Sequence, residues 1–396
     1  MNNRFCAGFL AAGLLLSGLQ ALPASADVFE TELWTVRDYE DGTISVSLKD
    51  KTLTEVEVPS EIDGKTITML EVDGFKGCSA LQKVTVPDTV TVIEDYCFYE
   101  CPSLTEINVP AYVKNIGFQA FYGCSSLKTI EIPASVGEIE AFAFEGCTSL
   151  TGVKVAKDNP AYKDENGILF DKSGETLYLY PSALEGESYS VPASCKTVYD
   201  YAFIGNPYLK NVDISHITSL GEDAFYYCTA LESLSIPEGI EELKGALCGK
   251  CTALKTVTIP STVKTVGESC FYGCMALESA VLPEGLETVR NYAFFNCPSL
   301  TSVRLTDSVT SIGEYAFGFY LGDDDKPKRL PDFEIDAAKD TEAFRYCAKN
   351  SIKCTGGVTQ GSVFLYILLS VVAAVIAMTI VLLILQKKYQ KEHEIN

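Results

Sequence analysis

Histidine is almost missing from this chain, with two residues in 396, His216 and His393. A nucleophile that needs a histidine base therefore has one candidate ahead of the C-terminal tail, and nothing around His216 supplies an activating partner. His216 follows the strand ending at Ile214, where other coils carry proline, and reads as a turn residue. Basic residues are also short, 31 against 53 acidic, for a formal net charge of −22. Between the leader and the tail the balance is 27 to 51, so this region carries about −24. Such a surface repels phosphate backbones and anionic headgroups, which excludes nucleic acid as a partner. Its plain role is solubility and self-avoidance, and the alternative is an acidic binding patch. Tryptophan occurs once, at Trp34. Cysteine, by contrast, occurs 15 times, and its placement gives the first indication of the fold.

One cysteine position falls at Cys78, Cys101, Cys124 and Cys147, then at Cys228, Cys251, Cys274 and Cys297, stepping by 23 residues within each run. The phenylalanine three places earlier keeps step at Phe75, Phe98, Phe121, Phe144, Phe225, Phe271 and Phe294. A fixed period of this size marks a solenoid whose units must stack to bury their apolar sides. Inside a unit, Leu127, Ile130 and Ile132 alternate as an inward-facing strand that Pro133 ends. Val136 and Ile139 form a second short inward segment, and a tight corner then brings in Ala143 and Phe144. Last inward strand residues run from Val58 to Leu305 and count eleven coils. At about 4.8 Å per stacked strand this is a rod on the order of 50 Å long.

The unit A-F-x-x-C-x-x-L-x-x-V-x-I-P-x-x-V-x-x-I resembles the BspA-like leucine-rich repeats of microbial surface proteins, over roughly Asp27 to Cys354. Asp41-Gly42-Thr43 and Ile62-Asp63-Gly64-Lys65 look like that family's opening hairpin, and Asn159-Pro160-Ala161-Tyr162 through Gly167-Ile168-Leu169-Phe170 looks like its mid-array insertion. The resemblance implies a mainly β, right-handed leucine-rich-repeat-type solenoid of ~23-residue coils with N- and C-terminal caps. It implies adhesion only loosely, since solenoids serve many partners.

The period also decides how the cysteines read. Eight share one buried corner where a small apolar side chain fits, and a ladder of equivalent thiols offers no unique pairing, so they read as reduced core residues. Cys97 and Cys270 replace the repeat's alanine, Cys248 its phenylalanine and Cys195 its valine, all inward positions. Cys347 and Cys354 are the pair best suited to a disulfide. Cys248-Gly249-Lys250-Cys251 has redox or zinc spacing but lacks a βαβ context and a second pair.

In chain order, residues 1–26 carry Arg4, an apolar run and Ala24-Ser25-Ala26, the pattern of a signal peptide. Residues 27–70 are the N-terminal cap and first coil, with Trp34-Thr35-Val36 and Ile44-Ser45-Val46 as hairpin strands and Trp34 covering the first coil. Regular coils span 71–156. Residues 157–188 form a hairpin insertion, expected to project from one side of the rod, either as a simple elaboration of one coil or as a functional face. Coils resume over 189–320, and 321–360 form the closing cap and juxtamembrane linker, helical over Thr341 to Ala348. Asp323-Asp324-Asp325 lacks the spacing and glycine of a calcium loop and reads as solvated. Residues 361–385 are the expected transmembrane helix, since Val363 to Leu385 is 23 uncharged residues, about 34 Å as a helix. Lys387, Lys388 and Lys391 then place the tail, 386–396, in the cytoplasm and the N-terminal ectodomain outside.

With no catalytic constellation, cofactor motif or metal set in view, the expected chemistry is at the surface. Carboxylate pairs abound, but nothing selects one as a hydrolase pair. The outward residues of the strands form rows in which Lys83, Thr85, Glu106, Asn108, Lys128, Glu131, Lys210, Asp213, Glu232, Lys255, Thr258 and Arg304 are candidate partner-binding residues. A second, aromatic row holds Tyr99, Tyr122, Tyr226, Tyr272 and Phe295, which stack coil on coil or meet a sugar or partner. The leading expectation is a membrane-anchored cell-surface protein that binds an extracellular protein through its solenoid. The alternative is a surface glycan-binding subunit or envelope scaffold that serves a partner enzyme or transporter.

Overall fold

The computed structural model describes residues 27–356. The expected signal peptide (1–26), transmembrane helix (361–385) and tail (386–396) lie outside the described residues. Among the described residues no helix is long and apolar enough to cross a membrane.

The alternation in each unit builds two parallel ladders. The first is made of the L-x-x-V-x-I strands, such as Lys83–Thr85 on Glu55–Glu57 and Glu106–Ile107, and Thr256–Thr258 between Ser233–Ser235 and Ser279–Val281. The second is made of the short V-x-x-I segments, such as Val92–Ile93, Asn115–Ile116 and Glu138–Ile139. Partners sit one repeat apart, as in Ile130 opposite Val153, so equivalent residues stack.

Phenylalanine rings form the central column. Phe75, Phe98, Phe121 and Phe144 stack with centroids 4.8, 5.3 and 5.7 Å apart, and Phe271, Phe294 and Phe317 repeat this at 5.0 and 5.0 Å. Each end of the column closes with an aromatic edge. Trp34, 5% exposed, meets Phe75 edge-on at 6.0 Å. Tyr346 meets Phe317 edge-on at 6.5 Å, while its hydroxyl donates to the Phe317 carbonyl and accepts from the Phe317 amide, both at 3.0 Å. Tyr346 sits on the helix Glu342–Asn350, which Thr341 caps by accepting from the Phe344 amide. The cap therefore satisfies the polar groups that the last coil leaves bare.

Three expectations change. The solenoid has about 14 turns instead of eleven. At its C-terminal end the first ladder continues past Ser302–Arg304 through Glu334–Asp336 and Lys353–Cys354. These strands were hidden because the hairpin Phe319–Leu321/Pro327–Arg329, which holds the acidic triplet in its turn, breaks the period. Cys347 and Cys354 are free thiols, with Cys354 Sγ toward the Ala337 carbonyl at 3.7 Å and burial pushing the Cys347 thiol up to about 12.

The third change concerns the insertion, which does not project. Tyr162–Glu165, Ile168–Asp171 and Thr176–Leu179 form an antiparallel meander, and its last strand pairs in parallel with Thr197–Val198 to restart the second ladder. The strand Ile168–Asp171 divides the core in two. Leu169 packs with the coils before it, while Ile168 and Phe170 pack with the coils after it. This seam needs close backbone approach. A Cβ on Gly167, whose φ is +84°, would lie 3.0 Å from Gly152 Cα, and the Gly167 carbonyl accepts from the Val153 amide at 2.9 Å. Only glycine fits both the turn and the contact.

Candidate functional site

The strand face is positioned by the first ladder, whose outward side chains line up in columns one repeat apart. Its charges pair with each other along these columns. Lys83 reaches Glu106 at 2.5 Å, Lys154 reaches Glu131 at 2.9 Å, Lys210 reaches Glu187 at 2.6 Å and Lys255 reaches Glu232 at 3.2 Å. Arg304 approaches Glu284 at 3.8 Å. Each pair is wet and contributes at most about 1 kcal/mol, but together they cancel charge along the face. Asn108 is engaged with structure, its amide accepting from Val86 N at 2.8 Å and donating to Val86 O at 2.7 Å. Asp213 accepts from Ser190 Oγ at 3.2 Å and from the Ser215 amide at 3.0 Å. Thr85, Lys128 and Thr258 stand outward on the same ladder. Over the coils after the seam, the face dips into a shallow groove of about 230 Å³ lined by Asn211, Val212, Asp213, Ile214, Ser215, Ser233 and Ser235.

The aromatic row is less available. Tyr99 and Tyr122 stack on each other at 4.7 Å, nearly parallel, and Tyr272 stacks on Phe295 at 5.7 Å. Phe295 is 3% exposed and cannot meet a ligand, a correction to its place among the surface candidates. Lysines already cover the ends of the row. Lys76 Nζ lies 5.2 and 5.1 Å from the Tyr96 and Tyr99 rings, and Lys250 Nζ lies 5.7 and 4.7 Å from Tyr226 and Tyr227. Gly249 makes room for this second cluster, since a Cβ there would sit 2.7 Å from the Tyr226 ring.

The ladder cysteines have a structural task that the sequence did not disclose. Seven of the eight, all but Cys78, donate to the carbonyl of the corner residue 25 or 26 positions back, as Cys101 to Phe75, Cys124 to Phe98 and Cys251 to Phe225, at 3.0 to 3.2 Å. Burial pushes Cys124 up to about 12 and Cys248 well above the ordinary thiol, opposite to what a reactive thiolate needs. Asparagine takes over this position at Asn206. Its Nδ2 donates to the carbonyls of Pro181, Ser182 and Leu184, and its Oδ1 accepts from the Tyr208 and Leu209 amides. Asn159, also fully buried, holds Pro133 and Val136 in the same way. The sequence analysis takes Asn159-Pro160 only as the opening of the mid-array insertion, although the Asn-Pro pair recurring at Asn206-Pro207 is a visible signal. His216 ties its coil to the previous one, Nε2 lying 2.9 Å from the Pro192 carbonyl.

At the seam the corner rows change character. Phe142 meets Tyr201 at 3.9 Å and Tyr178 meets Tyr199 at 4.7 Å, and with Glu145 they line a cavity of about 50 Å³. Burial, and then the charge of Asp223, push the Glu145 carboxyl up to about 7. Burial, and then Glu222, raise Asp223 to about 7, against a lowering hydrogen bond from Tyr201.

A family model described as BspA type leucine rich repeat region matches six copies, over residues 46–165 and 196–320. Among solved structures, a leucine-rich repeat protein from Eubacterium ventriosum is similar at 26% identity, with TM-score 0.57, over 74% of this chain and 94% of that one. The pneumococcal vaccine antigen PcpA shares the fold at 18% identity and TM-score 0.54, over 84% of this chain and 99% of that one. No curated protein matches the chain.

Proposed function

The chain belongs to the BspA-type leucine-rich repeat family, and from that premise we propose that it is a protein-interaction scaffold of a microbial cell surface. In this reading residues 361–385 anchor it, the tail is cytoplasmic, and the ectodomain adheres to an extracellular protein without catalysing a reaction. The observation that carries it is the strand face after the seam. There Ser190, Asn211, Asp213, Ser233 and Ser235 form a continuous polar surface of short side chains, with a groove of about 230 Å³ and flanking charges paired along their columns. Such a surface presents hydrogen-bonding groups without a large desolvated charge, and a broad contact is built by adding rows. Tyrosines that stack on one another and under lysines leave the glycan alternative with less exposed ring to offer.

The test is capture on an array that carries both matrix proteins and glycans, at low and physiological salt. Protein capture by the native chain that is lost in Asp213→Lys and Ser233→Arg variants supports the reading. Glycan capture that resists salt and survives those variants overturns it in favour of the glycan-binding subunit.

A further inference from the structure

We propose that the seam cavity between the two cores is a receptor for the ammonium tip of a lysine side chain on the protein partner. This rests on the protein-binding reading above and names the chemistry of one contact.

The first corner of the solenoid shows what these rows hold. There Lys76 lies over the Tyr96 and Tyr99 rings, 5.2 and 5.1 Å away, and pairs with Asp73 at 2.8 Å. An aromatic pair with one carboxylate therefore holds one ammonium of the chain itself at the surface. At the seam Glu145 stands at the repeat position of Lys76 and Phe142 at that of Asp73, while the next coil presents Tyr201 at the position of Tyr96 and Ile204 at that of Tyr99. One ring is kept in register and Phe142, Tyr178 and Tyr199 add three more to the lining, while the cation is replaced by a carboxylate. No lysine or arginine lines the cavity. Lys244 lies 3.6 Å from Asp200 on the rim, and Glu140 in the lining and Glu222 beside Asp200 add further negative charge.

Size narrows the ligand. A volume of about 50 Å³ exceeds the roughly 30 Å³ a water occupies in the liquid, and falls far below the several hundred Å³ of a drug-sized site. It is on the scale of the last atoms of a lysine. Tyr199, 39% exposed, keeps the mouth open to solvent, and the ectodomain's charge of about −24 draws basic segments toward it.

The full-length chain is titrated with an oligolysine peptide, its Nε-acetylated form and free butylammonium. Glu145→Lys supplies from within the cation that Lys76 supplies at the first corner. It should weaken oligolysine at least about tenfold, and Glu145→Gln by a smaller factor. Asp332→Lys, the same charge change on a distant exposed residue, should change affinity less than about twofold. Native affinity should rise from pH 6 to pH 8 as the seam carboxyls ionise, and Glu145→Gln should flatten that rise. Thermal melts confirm that each variant folds. Equal losses in Glu145→Lys and Asp332→Lys, or undiminished binding of the acetylated peptide, overturn the site. Capture of butylammonium with oligolysine excluded overturns the partner as its source. The strand-face reading survives either failure, because its own test depends on Asp213 and Ser233.

Discussion

Glu145→Gln should stabilise the protein, and the gain should grow with pH. The carboxyl is held in a site that disfavours its charge, so the folded state binds its proton more tightly than the unfolded chain does. Folding then takes up a proton across this window, and stability falls as pH rises from the ordinary carboxylate value of 4.5 toward about 7. The full displacement corresponds to a ceiling of roughly 3 kcal/mol at pH 8, of which about a quarter is already present at pH 5. Glu145 keeps some contact with water, which brings the expected gain at pH 8 to about 1–2 kcal/mol. Glutamine has the same shape and never ionises. With roughly 2.1 cal/mol/K of unfolding entropy per residue, the 330 described residues convert this to a Tm increase of about 1.5–3 °C if they melt as one unit. The assay is differential scanning calorimetry of both proteins at pH 5 and pH 8. A variant less stable than wild type at pH 8, or an equal difference at the two pH values, refutes the assignment of a buried, charge-averse Glu145.

Three other outcomes follow from the packing. Asn206→Ala removes the donors to three carbonyls and the acceptor for two amides in a fully buried corner. It should cost about 2–4 kcal/mol in urea unfolding, and a loss below 1 kcal/mol would mean that water replaces it. The ladder thiols, buried and donating to carbonyls, should resist a thiol reagent in native buffer and react in denaturant; rapid native labelling of Cys124 or Cys251 would contradict the described core. Gly249→Ala places a methyl 2.7 Å from the Tyr226 ring, so it should cost about 1–3 kcal/mol and alter the near-UV circular dichroism of the Tyr226–Tyr227 cluster, whereas an unchanged spectrum would show that the ring has space elsewhere.

The period, the two ladders and the central phenylalanines were legible because burial imposes the same demand every 23 residues. Phe98, Cys124 and Val257 answer it with recognisable residue types. Features whose partners lie one repeat away were harder to see. Lys83 with Glu106, Glu131 with Lys154 and Glu232 with Lys255 are opposite charges in the same column, a signal present in the text but read as a row of free binding groups. Asn206 escaped notice because it keeps the cysteine's geometry while changing its chemistry. The strands Glu334–Asp336 and Lys353–Cys354 were hidden by loops of irregular length, which shift spacing without shifting stacking.

The seam shows why an irregularity is where a repeat protein has chemistry left over. In a regular coil each polar group meets its counterpart on the next one. Thiol meets carbonyl, Lys255 meets Glu232, and Tyr99 lies against Tyr122. Inserting the meander between two such runs keeps the phenylalanine column and the hydrogen-bond ladders going, through Tyr180 on Phe203 and through the Tyr162 hydroxyl accepting from the Ile139 amide. The outer corner is not repaired in the same way. Phe142 is brought onto Tyr201, and Glu145 is placed near Asp223, whose charge adds to burial in raising the Glu145 proton affinity. Regular stacking would have set a residue of the next coil over Glu145; the meander puts a cavity there. The charge that the array neutralises internally elsewhere is here left to be neutralised by a proton at low pH, or by a cation from outside at higher pH.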